Sequence, residues 1–228
     1  MKAVILAGGY GKRLRPLTDT IPKPLIEIAG KPIIDWEISW LHKCGINSFV
    51  ILCGYLKEKL ITHLDGRKED MEFVYSHEDE PLGTGGALRR AKDLLKGEEQ
   101  FAMFNGDTIS NIDIRKIRLK DDEVASIGLV PLRSTYGITV LEGDKIVSFM
   151  EKPLLSEYWM NAGVYVMSSR IFDYLPQGSG SLETSTFVEL SKEKLLGAHR
   201  FKDAYFKSID SIKDVEEANA YLSKNDIF

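Results

Sequence analysis

LAGGYGKRLRPLTDTIPKP, Leu6 to Pro24, follows a short apolar run, Ala3 to Leu6, and gathers Gly8, Gly9, Gly11, Arg13, Arg15 and Lys23 into one loop. Glycines lack side chains, so the backbone can turn sharply and bring its N–H groups against anionic oxygens. The arginines and Lys23 add fixed positive charge. A polyphosphate suits this composition, and a nucleotide is the expected ligand. The plain alternative is a glycine-rich turn with incidental solvated cations, and the clustering of the cations counts against it.

Spacing narrows the kind of loop. A Walker A loop needs G-x-x-x-x-G-K-[ST], but around Gly11-Lys12 the outer positions are Leu6 and Arg13. A dinucleotide fingerprint needs G-x-G-x-x-G opening a helix, whereas Gly9-Tyr10-Gly11 runs into Lys12, Arg13 and Leu14, with Pro16 soon after. Neither a P-loop nor an NAD site is expected.

Working outward, apolar runs at Ala3 to Leu6, Phe49 to Leu52, Phe73 to Tyr75 and Phe101 to Phe104 alternate with segments of helical period. Pro32 to Cys44 reads as a helix, with Ile33, Trp36, Trp40, Leu41 and Cys44 on one face and Gly45 as a stop. A second helix is expected from about Gly86 to Lys96, ended by Gly97. This βαβ rhythm implies parallel strands covered by helices. After Asn105 the segments shorten: Ala125 to Leu132, Ile138 to Leu141, the Glu142-Gly143-Asp144 turn, Ile146 to Met150, and Trp159 to Met167. Helical period returns at Leu182 to Leu196, with Gly197 as the expected stop, and at Ile212 to Leu222.

The 228 residues, 43% hydrophobic, suffice for one large domain or two merged lobes. Apolar runs fall well short of the roughly 18 residues of a membrane span, and the amino terminus enters a strand rather than a signal-type segment. A soluble cytoplasmic protein with no membrane partner is expected. Cys44 and Cys53 read as buried reduced thiols. Net charge of −4 and the absence of a basic run with interleaved aromatics argue against nucleic acid.

Three clusters fall where an open α/β sheet places its chemistry, beyond the carboxyl ends of strands. Glu80-Pro81-Leu82-Gly83-Thr84-Gly85-Gly86 leads into a helix, so its backbone can approach a flat base or ribose; a plain strand-to-helix turn is the alternative. Asn105-Gly106-Asp107 holds a carboxylate at the sheet edge, where a hard divalent cation and phosphates can share it, unless it is only an Asn-Gly turn. Glu151-Lys152-Pro153 sets an acceptor beside a cation, as a sugar phosphate requires, or is a surface charge pair.

In this order and at these separations the clusters resemble the sugar-1-phosphate nucleotidylyltransferase family, over nearly the whole chain. The matching stretches are Gly8 to Thr18, Pro22-Lys23-Pro24, Leu82 to Gly86, Asn105-Gly106-Asp107, Tyr136-Gly137, Glu151-Lys152-Pro153 and Asn161-Ala162-Gly163. The resemblance implies a Rossmann-like α/β fold with a mixed, mostly parallel sheet flanked by helices. It implies one nucleotidyltransferase domain over 1–228, with a nucleotide-binding half at 1–110 and a sugar-binding half at 111–228. No hexapeptide repeats of a β-helix are present. The implied reaction is attack of a sugar 1-phosphate on the α-phosphorus of an NTP, giving NDP-sugar and pyrophosphate, with Mg²⁺ as cofactor. Both substrates are the expected partners, and homo-oligomerisation is left open.

The resemblance also assigns residues. Arg13 grips the triphosphate, Lys23 the reacting phosphoryl group and Lys152 the sugar phosphate, with Arg15 a further candidate contact. Leu6, Ala7, Gly8, Gly9, Gly11, Gly83, Thr84, Gly85 and Gly86 line the nucleotide site; Gly137, Glu151 and Asn161 face the sugar; Asp107 binds the metal. Glu183 reads as a helix-start acid. The family's Trp-x-Asp-Ile-Gly-Thr stretch has a departure here, Phe206-Lys207-Ser208-Ile209-Asp210-Ser211, which puts Ser208 in register with the second metal-binding aspartate. Two residues along a strand share a face, so Asp210 is the favoured ligand and Ser208 the alternative. The Gly-Thr-Gly-Gly form resembles guanylyl members acting on mannose or heptose 1-phosphate. A uridylyltransferase, or a non-catalytic nucleotide-sugar-binding module, is the competing expectation.

Overall fold

The computed structural model describes residues 1–67 and 70–228. Its strands, in chain order, are β1 (Ala3–Ala7), β2 (Glu27–Ile28), β3 (Lys31–Pro32), β4 (Ser48–Cys53), β5 (Glu72–His77), β6 (Gln100–Asn105), β7 (Thr108–Ser110), β8 (Ala125–Arg133), β9 (Ile138–Glu142), β10 (Lys145–Met150), β11 (Leu154–Ser168), β12 (Leu196–Arg200) and β13 (Phe206–Ser208). The α-helices are α1 (Ile33–Lys43), α2 (Lys57–Asp65), α3 (Gly83–Arg90), α4 (Phe187–Lys192) and α5 (Ile212–Leu222).

A seven-stranded sheet in the order β12-β8-β11-β6-β1-β4-β5 organises the chain. β1 pairs in parallel with β4 and β6, β4 with β5, and β12 with β8. Only β11 runs against its neighbours β6 and β8. The sheet is therefore mixed and mostly parallel, as the βαβ rhythm requires. Val4, Val50 and Met103 pack into one core layer, while Ile5, Ile51 and Phe104 pack into the other. A parallel sheet buried on both faces reads as continuous apolar runs, which explains why β1, β4 and β6 are so visible in the sequence.

Helix α1 starts after Pro32 and stops before Gly45, whose φ of 89° ends it. Trp36 and Trp40 are core-facing but keep a polar edge: their indole N–H groups donate to the Ile28 and Ile112 carbonyls. Two expected helices differ from the observed ones. The segment expected from Gly86 to Lys96 begins at Gly83 as α3 and, after Arg90, tightens into a 3-10 turn at Lys92–Leu95. The segment expected from Leu182 to Leu196 is a wide π turn at Leu182–Thr186 followed by α4, which ends at Lys192. Lys194, at φ 61°, reverses the chain, and the Leu195 N–H returns to the Leu190 carbonyl. Gly197 is therefore not a stop; it lies inside β12.

β9 and β10 form a hairpin outside the main sheet, and β7 pairs with β13. That last pairing sets Ser208 opposite Thr108, and the Ile209 N–H donates to the Asp107 carbonyl at 2.9 Å. A segment late in the chain is thereby tied beside the end of β6. No helix among the described residues is long and apolar enough to cross a membrane.

Candidate active site

Side chains that follow β1 and β6 meet the segment that follows β13. The Lys23 Nζ donates to Asp107 Oδ2 at 2.7 Å and to Asp210 Oδ1 at 2.9 Å. Arg13 donates to the same Asp210 oxygen at 2.9 Å, and the Ser208 hydroxyl donates to Asp210 Oδ2 at 2.8 Å. Four residues distant in sequence thus form one charge cluster, and Asp210 rather than Ser208 brings the second carboxylate to it. Lys23 is buried, its side chain only 11% exposed, while the Arg13 side chain is 76% exposed. Lys23 is the fixed member and Arg13 is free to follow a ligand.

Electrostatics favour an ionised Asp210. Partial burial of Asp210 works against its charge, but hydrogen bonds from Lys23 and Ser208 and the charges of Lys23 and Arg13 outweigh it, holding the pKa below the usual aspartate range. Close to Asp107, α1 carries Glu37, a buried carboxyl group with one oxygen, Oε2, lacking any hydrogen-bond partner among the described residues. Burial, then the Asp107 charge, raises its pKa well above the ordinary value. Glu37 is thereby pushed toward the neutral acid.

The glycine-rich loop supports this arrangement locally. Gly11 adopts φ 59°, and a Cβ there would meet Thr18 Cγ2 at 2.8 Å. Its carbonyl accepts from the Leu14 N–H and the Thr18 hydroxyl, so the turn closes on itself and presents Arg13. Arg15 points elsewhere, into an exposed pair with Asp19.

Beside the cluster lies a cleft of about 270 Å³, bounded by Leu6, Gly8 and Gly9 from the end of β1, Gly83 and Thr84 from α3, and Asn105 and Asp107 from the end of β6. Leu52, Pro81 and Ala87 give it apolar walls. Gly85 and Gly86 are placed differently: both are buried, and their N–H groups donate to the Gly180 carbonyl. They fasten α3 to the 176–180 segment rather than offering N–H groups to a ligand. Thr84 has a divided role, since its hydroxyl donates to Glu183 Oε2 and accepts from the Leu182 N–H. Ser181 caps the turn that holds Glu183, in keeping with a helix-start acid.

Residues read as facing a sugar are less gathered. Gly137 and Glu151 flank the open end of the β9–β10 hairpin, where Ile138 pairs with Met150. The Lys152 Nζ lies 3.7 Å from Glu151, and both side chains are more than half exposed. Asn161 is nearer the sheet: it donates to the Tyr165 hydroxyl at 2.9 Å and accepts from the Gly163 N–H. Gly163 abuts Asn105 so closely that a Cβ would lie 2.7 Å from its side-chain nitrogen. A second depression, about 510 Å³, adjoins Ser208 and is bordered by Arg133, Met160 and Lys202. Glu78, at the carboxyl end of β5, lines the first cleft but is absent from the motif stretches. Its position just past a strand is the signal that could have found it.

Among the described residues no cluster of three or more His, Cys, Asp or Glu forms a complete metal cage. The two carboxylates that share Lys23 are hard oxygen donors of the kind that hold Mg²⁺ when phosphate oxygens supply the remaining positions.

Comparison with known proteins now decides the family. The Nucleotidyl transferase family matches residues 2–225. The chain belongs to that family. It is 33% identical over 231 residues to the D-glycero-alpha-D-manno-heptose 1-phosphate guanylyltransferase of Aneurinibacillus thermoaerophilus, covering 97% of this chain and 98% of that protein. It is 34% identical to the mannose-1-phosphate guanylyltransferase catalytic subunit beta of Danio rerio, over 94% of this chain and 62% of that one. Among solved structures, HddC from Yersinia pseudotuberculosis complexed with GMP-PN superimposes with a TM-score of 0.72 at 27% identity, covering 97% of this chain and 99% of that one. Membership accounts for the mixed sheet and for motifs spread over the full length.

Proposed function

We propose that this nucleotidyltransferase moves a guanylyl group from GTP to a mannose-type or heptose 1-phosphate, giving GDP-sugar and pyrophosphate. The observation that carries the reading is the convergence of Lys23, Arg13, Asp107 and Asp210 at the mouth of the cleft behind Gly8 and Gly9. The named activities of the relatives give the guanylyl and sugar preference.

The chemistry needs no covalent intermediate. A sugar phosphate oxygen attacks the α-phosphorus, and the bond to pyrophosphate breaks on the opposite side. Catalysis then rests on alignment and on neutralising charge that grows on the transferred group. Leu6, Ala7, Gly8, Gly9 and Gly11 form the loop under the triphosphate, with Arg13 closing over it from solvent. Lys23 exchanges a carboxylate partner for a phosphoryl oxygen, and its burial keeps that ammonium fixed as the reaction proceeds. Asp107 and Asp210 would hold Mg²⁺, which when bound would supply charge neutralisation to the phosphates. The Ser208 hydroxyl orients Asp210. On the other side Gly137, Glu151 and Asn161 take the sugar and Lys152 its phosphate. Residues 1–110 thus serve the nucleotide and 111–228 the sugar, although Asp210 reaches across from the second half to the first.

Pyrophosphate release is measured with Mg²⁺ across GTP, UTP, dTTP, CTP and ATP, each paired with mannose, glucose, N-acetylglucosamine and heptose 1-phosphates. The expected result is turnover confined to GTP with mannose or heptose 1-phosphate. Turnover with UTP alone would replace the guanylyl reading, and nucleotide binding with no release in any pairing would favour a binding module.

A further inference from the structure

We infer that the β9–β10 hairpin joins two copies of this chain and that the contact steadies the sugar end of the site; the second half of the inference rests on the function proposed above. Of the fifteen large apolar side chains exposed among the described residues, nine lie between Tyr136 and Tyr158. Every residue of β10 is exposed. Ile146 pairs across the ribbon with Leu141 and Phe149 with Thr139, so Leu141, Ile146 and Phe149, each at least 60% exposed, share one face.

Two features call for this surface to be covered in solution. β9 and β10 pair only with each other among the described strands, and a two-stranded ribbon left alone in water is marginally stable. The apolar area is also large. A fully exposed aromatic side chain offers about 150–250 Å² and an aliphatic one somewhat less, so the nine side chains expose on the order of 1,000 Å². The largest patch on an ordinary monomer is roughly 300–600 Å², whereas a stable interface takes roughly 800 Å² from each partner.

Charge identifies the occupant as a second copy. Lys145 and Glu151 stand three residues to either side of Ser148. A two-fold axis crossing β10 at Ser148 sets Lys145 of each copy beside the partner's Glu151, with Ile146, Val147 and Phe149 meeting their own kind between these ends. An anionic membrane fits poorly, because Glu142, Asp144, Glu151 and Glu157 outnumber Lys145 and Lys152 along this stretch. The ladder register shifts between Ile146 and Ser148, an irregularity that discourages a further strand from adding to the edge. Side chains rather than a continued ladder therefore make the contact.

The same hairpin carries the sugar end at its foot. A Cβ on Gly137 would meet Phe149 Cζ at 2.7 Å and Glu151 Oε2 at 3.1 Å, so the apolar face adjoins the residues read as facing the sugar. Association holds that face still and brings the partner's Lys145 beside Glu151.

The test is sedimentation velocity of the full chain without ligand, for the wild type, Ile146→Glu, Lys145→Glu and the double variant Lys145→Glu/Glu151→Lys. At about 10 µM the wild type is expected to sediment as two chains, and Ile146→Glu, which sets like charges into the apolar contact, as one. Lys145→Glu is expected to weaken association about 10-fold, and the exchanged charges of the double variant to restore it. A wild-type monomer, or a dimer that Ile146→Glu leaves intact, overturns the interface. Weakening that the double variant does not reverse overturns the two-fold arrangement. With GTP and mannose or heptose 1-phosphate, Ile146→Glu is expected to raise KM for the sugar phosphate about 10-fold while leaving KM for GTP unchanged. An unchanged sugar-phosphate KM in a monomeric variant overturns the support of the sugar end alone. No turnover in the wild type overturns the proposed function and the sugar-end half together, while the sedimentation result still decides the dimer.

Discussion

The two lysines assigned to phosphates sit in opposite surroundings. Lys23 is buried, held by two carboxylates, and packed with its Cβ close against Gly11. Lys152 stands at the foot of the β9–β10 hairpin, 56% exposed, with Glu151 at 3.7 Å as its ion-pair partner. The hairpin itself exposes Val140, Leu141, Ile146, Val147 and Phe149. On the proposed reading, the nucleotide end is thus built before its ligand arrives, whereas the sugar end is assembled from exposed side chains. Surface pairs of the Glu151–Lys152 kind contribute little to stability, so Lys152 is easily drawn to a phosphate.

Lys23→Ala tests the difference most severely. It removes the fixed cation at the reaction centre and leaves two carboxylates facing each other, so kcat/KM should fall by about 10²- to 10³-fold. A loss below tenfold would deny Lys23 its place in the transition state. Next, Asp210→Asn should raise the Mg²⁺ concentration for half-maximal activity by about 10-fold or more, on the scale of losses seen at metal sites. Ser208→Ala should shift it far less, because only an orienting hydrogen bond is lost. The reverse order would restore Ser208 to the ligand position. Lys152→Ala should raise KM for the sugar phosphate, by about 10-fold, while leaving nucleotide affinity unchanged. A change in GTP binding instead would show that the two ends are not separate.

The smallest effect concerns stability. Glu37 has a raised pKa in the folded protein, so between the unfolded and folded values the native state holds the extra proton and stability falls as pH rises. The slope from this single group is at most about 1.4 kcal/mol per pH unit. Asp210 acts in the opposite sense, its lowered pKa giving stability that is present at neutral pH and lost on acidification through its folded value. Glu37→Gln should flatten the loss of stability above the usual carboxylate range, read as denaturant midpoint against pH. An unchanged profile would mean that Glu37 titrates normally.

The same contrast explains what could be read from the sequence. β1, β4 and β6 announce themselves because parallel strands buried on both faces need unbroken apolar runs. The phosphate loop is legible for a different reason: its glycines and cations are local. Non-local features were less so. β12 pairs on one side only, with β8, and Leu196-Gly197-Ala198-His199-Arg200 carries little strand signal. The helix before it stops at a left-handed lysine, where composition points to Gly197 instead. Strand periodicity does not place Asp210, which lies two residues past the end of β13 at Ser208; its partnership with Lys23 depends on β13 reaching β7. Glu78 lies outside the recognisable motifs, and its packing against Gly8 and Gly54, both far away in sequence, is visible only in the fold.

The most direct measurement is calorimetric titration of the substrate-free protein, once with a non-hydrolysable GTP analogue and Mg²⁺ and once with mannose or heptose 1-phosphate. A nucleotide end built in advance predicts that the analogue binds the free protein, and that the sugar phosphate binds measurably only afterwards. Equal affinity for the sugar phosphate with and without the analogue would contradict that account.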